Sequence, residues 1–444
     1  RGGAHSTMGW SVSPDARRGL YGPHTTLRPD VVGPAEAHVE VMVDGNAKGR
    51  SLAVGTRRAG AVARQILECV GPATRECVLC FDNDNVPTVR KREVHAARAK
   101  RSSASATRTV PATADEIDSF TGFGEIEWER LFATAAGKRV ALLVLCRALK
   151  EEIVRRPAGD CRFTLTLPDA TDAAFGDAIW AYPFDRPSKF HEVLCATRYG
   201  EAEAQVIACI RHSMAAAAGP PPSTLIHTID TDVYLQCLSF AHPHLSVVIG
   251  AVWQTTDGAT HSSAARARSA AAALRAAKRR KAATAGAGSV TTVTRLYKHV
   301  SLSEFAAAVF AGDVARMVNA QWWFLLTGGC DYNYTGLAAF GWNHATCLGL
   351  RDRMVVDATT LRLGRFAEVL RASRNAKRRN KDVADFCDML VRTVYCWYYY
   401  QWSGAQPELA DFSGLLDAGG CDTISDWLSA VPPEATRSLC PATP

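Results

Sequence analysis

Seven acidic residues in this chain stand in close pairs or just after short apolar runs. In chain order they are Asp44, Asp82, Glu201, Glu203, Asp230, Asp232 and Asp331. Hard divalent cations prefer carboxylate oxygens, and converging carboxylates repel one another unless cations lie between them. Two such cations about 4 Å apart form the clamp that cleaves phosphodiester bonds. Any one of these acids is by itself an ordinary loop or helix-cap residue, but the ordered set predicts a two-metal site.

Four short apolar runs precede these acids and predict the elements that position them. The runs are residues 39–43, 77–81, 191–196 and 224–229, and helical patterns separate them. Strands that alternate with helices are typical of an α/β fold with a central, mostly parallel sheet flanked by helices. The functional crevice of such a sheet lies beyond the carboxyl ends of its strands. We therefore expect the acids to meet at that edge.

The rest of the chain divides by composition. We expect residues 1–7 to be a leader or a non-native remnant, 8–261 an α/β core, 262–289 a basic low-complexity insertion, 290–410 the remaining core, and 411–444 an acidic, loosely held tail. Within the core, residues 98–196 have a mostly helical pattern, most clearly at 127–155. The insertion is rich in Ala, Ser, Lys and Arg, and we interpret it as disordered or loosely helical.

The positive charge of the chain is clustered. The net charge is +7, and Lys and Arg concentrate at residues 90–101, 266–281 and 371–381. Clustered cations suit nucleic acid, because each neutralised phosphate releases counterions. One cluster alone is as readily a solvated helix face, but three clusters beside an acidic site favour a nucleic-acid partner. No apolar run approaches the roughly 18 residues that a membrane-spanning helix needs, so no membrane partner is expected.

Two other groups are better explained as core than as sites. Cys77 and Cys80 form a CxxC among 14 otherwise scattered cysteines, but no second pair follows at zinc spacing. We interpret them as reduced core thiols of an intracellular protein. The aromatic residues at 397–400 and Trp402 could stack bases, but their apolar area favours burial.

In their order along the chain, these motifs resemble the 5′ nuclease superfamily of flap endonucleases and XPG-type excision-repair nucleases, which has a PIN-like fold. The exoribonucleases that act 5′ to 3′ are more distant members. The resemblance spans residues 8 to about 345. The matching motifs are Met8-Gly9-Trp10, Val43-Asp44, Phe81-Asp82 with Pro87, Gly200-Glu201-Ala202-Glu203-Ala204, Thr228 to Asp232, Gly329-Cys330-Asp331-Tyr332, Gly336-Leu337 and Phe340-Gly341.

The resemblance implies a role for each group of residues. The seven acids would hold two Mg²⁺ ions, with Mn²⁺ as a substitute. Lys91 and Arg98, at the base of a helical arch at about 98–196, would hold the scissile phosphate, with Arg90 and Arg101 as register alternatives. Gly336 to Gly341 would form a helix–two-turn–helix region that grips duplex DNA, with a K⁺ ion as a further ligand.

The implied activity is structure-specific cleavage of branched DNA in the nucleus, with mitochondrial and viral-replication settings open. RNA is the second substrate, because Gly200-Glu201 followed by Ile210-Arg211 leans toward the exoribonucleases. A non-catalytic nucleic-acid-binding or assembly role is the third reading.

Three departures from the family pattern matter. Asp84 competes with Asp82 for the ligand role, because Asn83 replaces the family's glycine. The basic insertion stretches the distance between Asp232 and Asp331. The carboxyl-terminal region contains no evident sliding-clamp-binding peptide.

Overall fold

A mixed, mostly parallel sheet with helices on both faces forms the centre of the molecule. The computed structural model describes residues 22–29, 38–46, 59–82, 135–156, 159–167, 179–186, 188–197, 201–228, 233, 236–240, 242–261, 266–274, 293–328, 336–342, 350, 352–357, 359–373, 382–401, 409–412 and 414–440. This confirms the predicted α/β class with a central, mostly parallel sheet flanked by helices, while the PIN-like arrangement stays a prediction.

Within these residues the central sheet has nine strands. They are β1 (Thr25–Arg28), β2 (Glu40–Asp44), β3 (Glu76–Cys80), β4 (Arg162–Thr166), β5 (Ile179–Tyr182), β6 (Thr224–His227), β7 (Leu245–Thr255), β8 (Thr260–His261) and β9 (Val293–Ser301). The strand order is β1-β9-β7-β6-β2-β3-β4-β5, and β8 pairs with β7. The five strands from β7 to β4 run parallel, while β1, β5, β8 and β9 pair antiparallel.

Ten helices are bounded within the described residues. They are α1 (Ala59–Ile66), α2 (Ala135–Val154), α3 (His191–Thr197), α4 (Ala202–Ala216), α5 (Leu302–Phe310), α6 (Val314–Gly328), α7 (Gly336–Ala339), α8 (Leu363–Ala372), α9 (Val383–Gln401) and α10 (Ile424–Ala430). Short 3₁₀ turns lie at Gly22–His24, Leu67–Cys69, Cys237–Phe240 and Leu409–Phe412. A small antiparallel sheet joins β10 (Val356–Asp357), β11 (Thr360–Leu361) and β12 (Arg437–Ser438).

Alternation along the buried strands divides the core into two layers. Val41 and Val43 of β2 pack with α1 and α2, whereas Met42 faces the layer that contains α4, α6 and α9. Successive side chains of a strand point to opposite faces, so the same sequence supplies both layers. Cys77 and Cys80 fall in different layers and are buried. They are therefore core thiols, as predicted, and their side chains cannot share one ion.

The predicted elements are partly wrong between residues 98 and 196. The run 191–196 was expected to be a strand, but it is helix α3, and Leu194 N–H donates to the carbonyl of Phe190 at 3.0 Å. The region expected to be mostly helical contains α2 and α3, but it also contributes strands β4 and β5. Those strands gain their stability from pairing with β3 and with each other, which a local pattern does not reveal.

The basic segment and the carboxyl-terminal segment are more ordered than expected. Residues 266–274 are helical, and Ala267 and Ala271, four residues apart, are buried. The loosely held tail is a wrong prediction for its described part, because Ile424 and Leu439 are fully buried. Small or apolar residues at helical spacing explain both results, since they pack closely despite a polar composition.

The aromatic run near residue 400 is core where it is described. Trp397 is 1% exposed in α9, and Tyr395 lies beside it in the same core. Among the described residues, no helix has the length and apolarity needed to cross a membrane.

Replacing Gly364 by Ala tests how firmly the carboxyl-terminal segment packs. A methyl group at Gly364 would collide with the carbonyl oxygens of Pro432 and Pro433, which are backbone atoms. We expect the variant to lose about 1–3 kcal/mol of unfolding free energy, measured in urea. Gly60→Ala is the matched control, because the nearest atom to its new methyl group is 3.7 Å away. Equal stability of the two variants would contradict this packing.

Acid pH should destabilise the fold through His242. Burial lowers the pKa of His242 from 6.5 to about 4. Between these two pH values, the unfolded chain binds a proton at His242 and the folded chain does not. Stability contributed by the neutral ring is full above pH 6.5 and is lost as the pH falls toward 4. We expect thermal unfolding of His242→Asn to depend less on pH in this window than that of the wild type. A parallel pH dependence of both proteins would contradict the prediction. Asn keeps an acceptor for the His244 N–H, which donates to Nδ1 at 3.1 Å.

Candidate active site

The sheet changes direction at β2, and this creates a crevice. From β2 the chain adds β3 and β4 on one side and later adds β6 and β7 on the other. In open α/β sheets, ligands bind beyond the carboxyl ends of the strands at such a switch point. Val43 of β2 pairs with His227 of β6, so the next residues, Asp44 and Thr228, stand side by side at that edge.

Asp44 is held in the crevice by a hydroxyl group. Its residue is 4% exposed, and Thr228 Oγ1 donates to Asp44 Oδ2 at 3.0 Å. Thr228 is itself fully buried. A buried carboxylate is stable only with hydrogen bonds or nearby positive charge. The Thr228 hydroxyl therefore fixes the orientation of this carboxylate.

Asp82, two residues beyond β3, joins α2 to the start of α4. Lys138 Nζ of α2 lies 2.6 Å from Asp82 Oδ2, and the Ala202 backbone N–H of α4 donates to Asp82 Oδ1 at 3.0 Å. Both side chains of the ion pair are about a quarter to a third exposed. The first N–H groups of a helix lack partners within the helix and carry partial positive charge. Asp82 thus supplies the capping oxygen for α4.

Glu201 is the N-cap residue of α4, but its side chain does not cap the helix. The residue has extended backbone angles and is 4% exposed, and Glu203 follows half-buried in the first helical turn. Gln205 Nε2 donates to the carbonyl of Phe81 at 2.9 Å, which fixes the first turn against the end of β3. The Glu201 side chain therefore lies buried at the amino end of α4, directly beside the residue whose N–H Asp82 binds.

Tight packing beneath the acids holds their positions. Gly45, directly after Asp44, has no room for a side chain, because a methyl group would lie 2.5 Å from the Phe81 ring and 2.8 Å from the Cys80 carbonyl oxygen. Phe81 N–H donates to Thr166 Oγ1 at 2.8 Å, so β4 also anchors this edge. The ends of β2 and β3 therefore cannot separate without breaking several contacts.

The donor atoms at this edge are oxygens. Burial is the main cause that raises the pKa of the Cys80 thiol well above its usual range, and the charges of Cys209 and Asp44 act in the same direction. The thiol therefore stays protonated, and sulfur binds metals as the thiolate. Carboxylate and hydroxyl oxygens suit Mg²⁺ or Mn²⁺ rather than zinc. The chemistry of Asp44, Asp82 and Glu201 fits a hard divalent cation.

Only part of the predicted site lies in the described residues. The structure brings Asp44, Asp82 and Glu201 to one edge, with Glu203 in the adjoining turn. The acids and cations outside the described residues are Asp84, Arg90, Lys91, Arg98, Arg101, Asp230, Asp232 and Asp331. Among the described residues, no three acidic, histidine or cysteine side chains are close enough to hold a metal ion together.

The two predicted glycines of the duplex-binding region are described. Gly336 has φ +43° and Gly341 has φ +107°, which only glycine adopts without strain. Leu337, Phe340 and Trp342 between and beside them are buried. Nothing in these contacts tests the binding of duplex DNA or K⁺, so that role stays a prediction.

Three side chains at this edge were not predicted from the sequence as site residues: Thr228, Lys138 and Gln205. Thr228 lies two residues before Asp230, the first of the paired aspartates. This spacing is a sequence signal that could have identified Thr228 as a site residue. Lys138 is 56 residues from its partner Asp82, so no local pattern links them. Neither the scan of protein-family models nor the search of curated proteins finds a match for the chain.

Replacing Lys138 by Met tests the charge balance at Asp82. The variant leaves a partly buried carboxylate without its ammonium partner, and we expect a loss of about 1–2 kcal/mol in EDTA. If a divalent cation binds at Asp82, adding Mg²⁺ should restore more stability to this variant than to the wild type. Urea unfolding with and without Mg²⁺ measures both effects. Arg64→Met, which breaks an exposed ion pair with Glu152, is the control. An equal response to Mg²⁺ in Lys138→Met and wild type would contradict a cation at Asp82.

Proposed function

We propose that this protein is a metal-dependent 5′ nuclease with a PIN-like fold, which hydrolyses phosphodiester bonds in branched DNA. The observation that supports the proposal is the position of Asp44 and Asp82 at or just beyond the carboxyl ends of two neighbouring parallel strands, with Asp82 accepting from the first N–H of α4, the helix that Glu201 directly precedes. These three acids come from positions up to 157 residues apart. They are also the positions that the family resemblance assigns to metal ligands.

Chain length keeps two of the remaining acids, Asp230 and Asp232, within reach of this edge. Asp230 is two residues beyond Thr228, which donates to Asp44, and two residues of chain reach at most about 7 Å. Asp232 is two residues further along. Both aspartates are therefore within reach of the edge that holds Asp44, as a site with two metal ions requires.

Each group of residues has a proposed task. Asp44, Asp82, Glu201, Glu203, Asp230, Asp232 and Asp331 would hold two Mg²⁺ ions. The bound ions would supply positive charge that stabilises the attacking and leaving oxygens of the phosphodiester. Thr228 orients Asp44, and the amino end of α4 positions Glu201 beside Asp82. Lys91 and Arg98 would hold the scissile phosphate.

Lys138 adds a positive charge at the same edge through its ion pair with Asp82. Because its side chain is about a third exposed, we propose that it contacts an incoming phosphate as well as Asp82. Lysine acts as a point charge toward phosphates. We propose that Gly336 to Gly341 contact the uncleaved duplex, and that the protein works in the nucleus.

Asp44→Asn is the sharpest test of the proposed activity. The amide keeps the shape of the side chain and an acceptor for Thr228, but it removes the charge that would bind a cation. We expect cleavage of a 5′-labelled flap DNA in Mg²⁺ to fall by about 100-fold or more. Thermal unfolding in EDTA should stay the same or rise, because a repelling charge is lost.

The control is Glu368→Gln, which changes an exposed carboxylate that pairs with Arg365 on α8. It should cleave the flap at the wild-type rate. Undiminished cleavage by Asp44→Asn would reject the site. Turnover of 5′-phosphorylated RNA alone would replace DNA by RNA as the substrate. Binding of both polymers without turnover of either would favour a non-catalytic role.

A further inference from the structure

Three aromatic rings line the outer strand of the sheet at one end. Trp180 and Tyr182 of β5 and Phe184, just after it, are alternate residues that point the same way. The Trp180 and Tyr182 rings are stacked with centroids 5.9 Å apart and planes 7° apart, and Phe184 meets both edge-on at 6.0 and 5.8 Å. Phe184 is 74% exposed. Trp180 and Tyr182 are partly buried against the core, so Phe184 is the exposed member of the cluster. An exposed apolar group on a folded protein can mark a binding site.

Positive charge borders these rings. Lys150 Nζ of α2 lies 5.7 Å from the centre of the Trp180 ring. Burial lowers the pKa of Lys150, and the charge of Arg147, one turn earlier, acts in the same direction. Arg186, 64% exposed, follows Phe184, although Asp185 lies 3.7 Å from it. Half-buried ammonium groups near a neighbouring cation gain most from an anionic ligand.

The aromatic surface begins beside the candidate active site. Ile179 pairs with Thr166, whose hydroxyl accepts from the N–H of Phe81, the residue before Asp82. From there β5 runs antiparallel to β4, away from the carboxyl edge. Helix α2 runs the same way, from Lys138 at Asp82 toward Lys150. Phe184 lies in the turn after β5, and its ring returns to within 6.0 Å of Trp180, so the three rings form one compact cluster.

We propose that Trp180, Tyr182, Phe184 and Lys150 form a stacking surface for the unpaired bases of single-stranded nucleic acid that leaves the candidate active site. The place of this surface in a reaction rests on the proposed function, but the binding itself does not. Flat rings give sequence-tolerant stacking, and flanking cations match the phosphates. Charge complementarity favours nucleic acid over an apolar protein partner.

Phe184→Ala tests the surface without risk to the core, because the side chain is mostly exposed. Binding of a fluorescent oligothymidylate is measured by anisotropy in EDTA, where Mg²⁺-dependent cleavage is absent. We expect about tenfold weaker binding, within the range for loss of one stacked base. Phe184→Tyr should bind like the wild type. Leu27→Ala, which changes an exposed apolar residue on the opposite edge strand β1, should have no effect.

An abasic oligonucleotide of the same length separates stacking from charge. Phe184→Ala should bind this ligand as well as the wild type does, because no bases are present to stack. Lys150→Gln should weaken the binding of both ligands and reduce the slope of log affinity against log salt by about 1. Phe184→Ala should leave that slope unchanged.

The outcomes separate this inference from the proposed function. Unchanged oligothymidylate binding by Phe184→Ala, or an equal loss on the abasic ligand, would overturn the stacking surface. A proline-rich peptide that needs Phe184, with no such need for the oligonucleotide, would overturn it in favour of a protein partner. Phe184-dependent binding by a protein that cleaves neither polymer would leave the surface intact and reject the nuclease.

Discussion

The parallel pairing of β2 with β3 on one side and β6 on the other decides where every candidate functional group lies. Register places Glu40 beside Glu76 at the amino edge and Asp44 beside Cys80 and Thr228 at the carboxyl edge. Hydrogen-bonding groups therefore stand side by side at both ends of the same buried strands. A one-residue slip would turn each of them to the opposite face, so the polar groups at the two ends help to specify the register.

The two edges stabilise their carboxylates differently. At the amino edge Glu40 pairs with Lys189 and Glu76 with Arg162, and serine and threonine hydroxyls complete both sets of hydrogen bonds. Such a network of paired and hydrogen-bonded carboxylates has a structural role. The carboxyl edge is organised around one hydroxyl, one lysine and the amino end of α4. This second arrangement keeps Asp44 and Glu201 buried and leaves Asp82 about a quarter exposed.

Sequence reasoning succeeded where a strand carries its own signal. Strands β2, β3 and β6 are dense in apolar and β-branched residues and end at acids, so they and the edge they share were predictable. Strands β4 and β5 were missed because their signal is the partner strand, which lies at a distance along the chain. The same holds for Lys138, whose role depends on Asp82. The prediction of a strand at residues 191–196 was wrong because Phe190 and Leu194, four residues apart, fit the period of a helix as well as that of a strand.

At the β5 end of the sheet, we expect a ligand to bind through side chains rather than by adding a strand. An open edge strand invites another strand to add to it, and proteins block this with short strands, proline and charges. Here β5 has four residues, and Pro183 follows it with no N–H to donate. Asp185 and Arg186 then place opposite charges beside Phe184. Backbone pairing is thus stopped just where Phe184 is exposed, which leaves the side chain of Phe184 as the group that a ligand can contact.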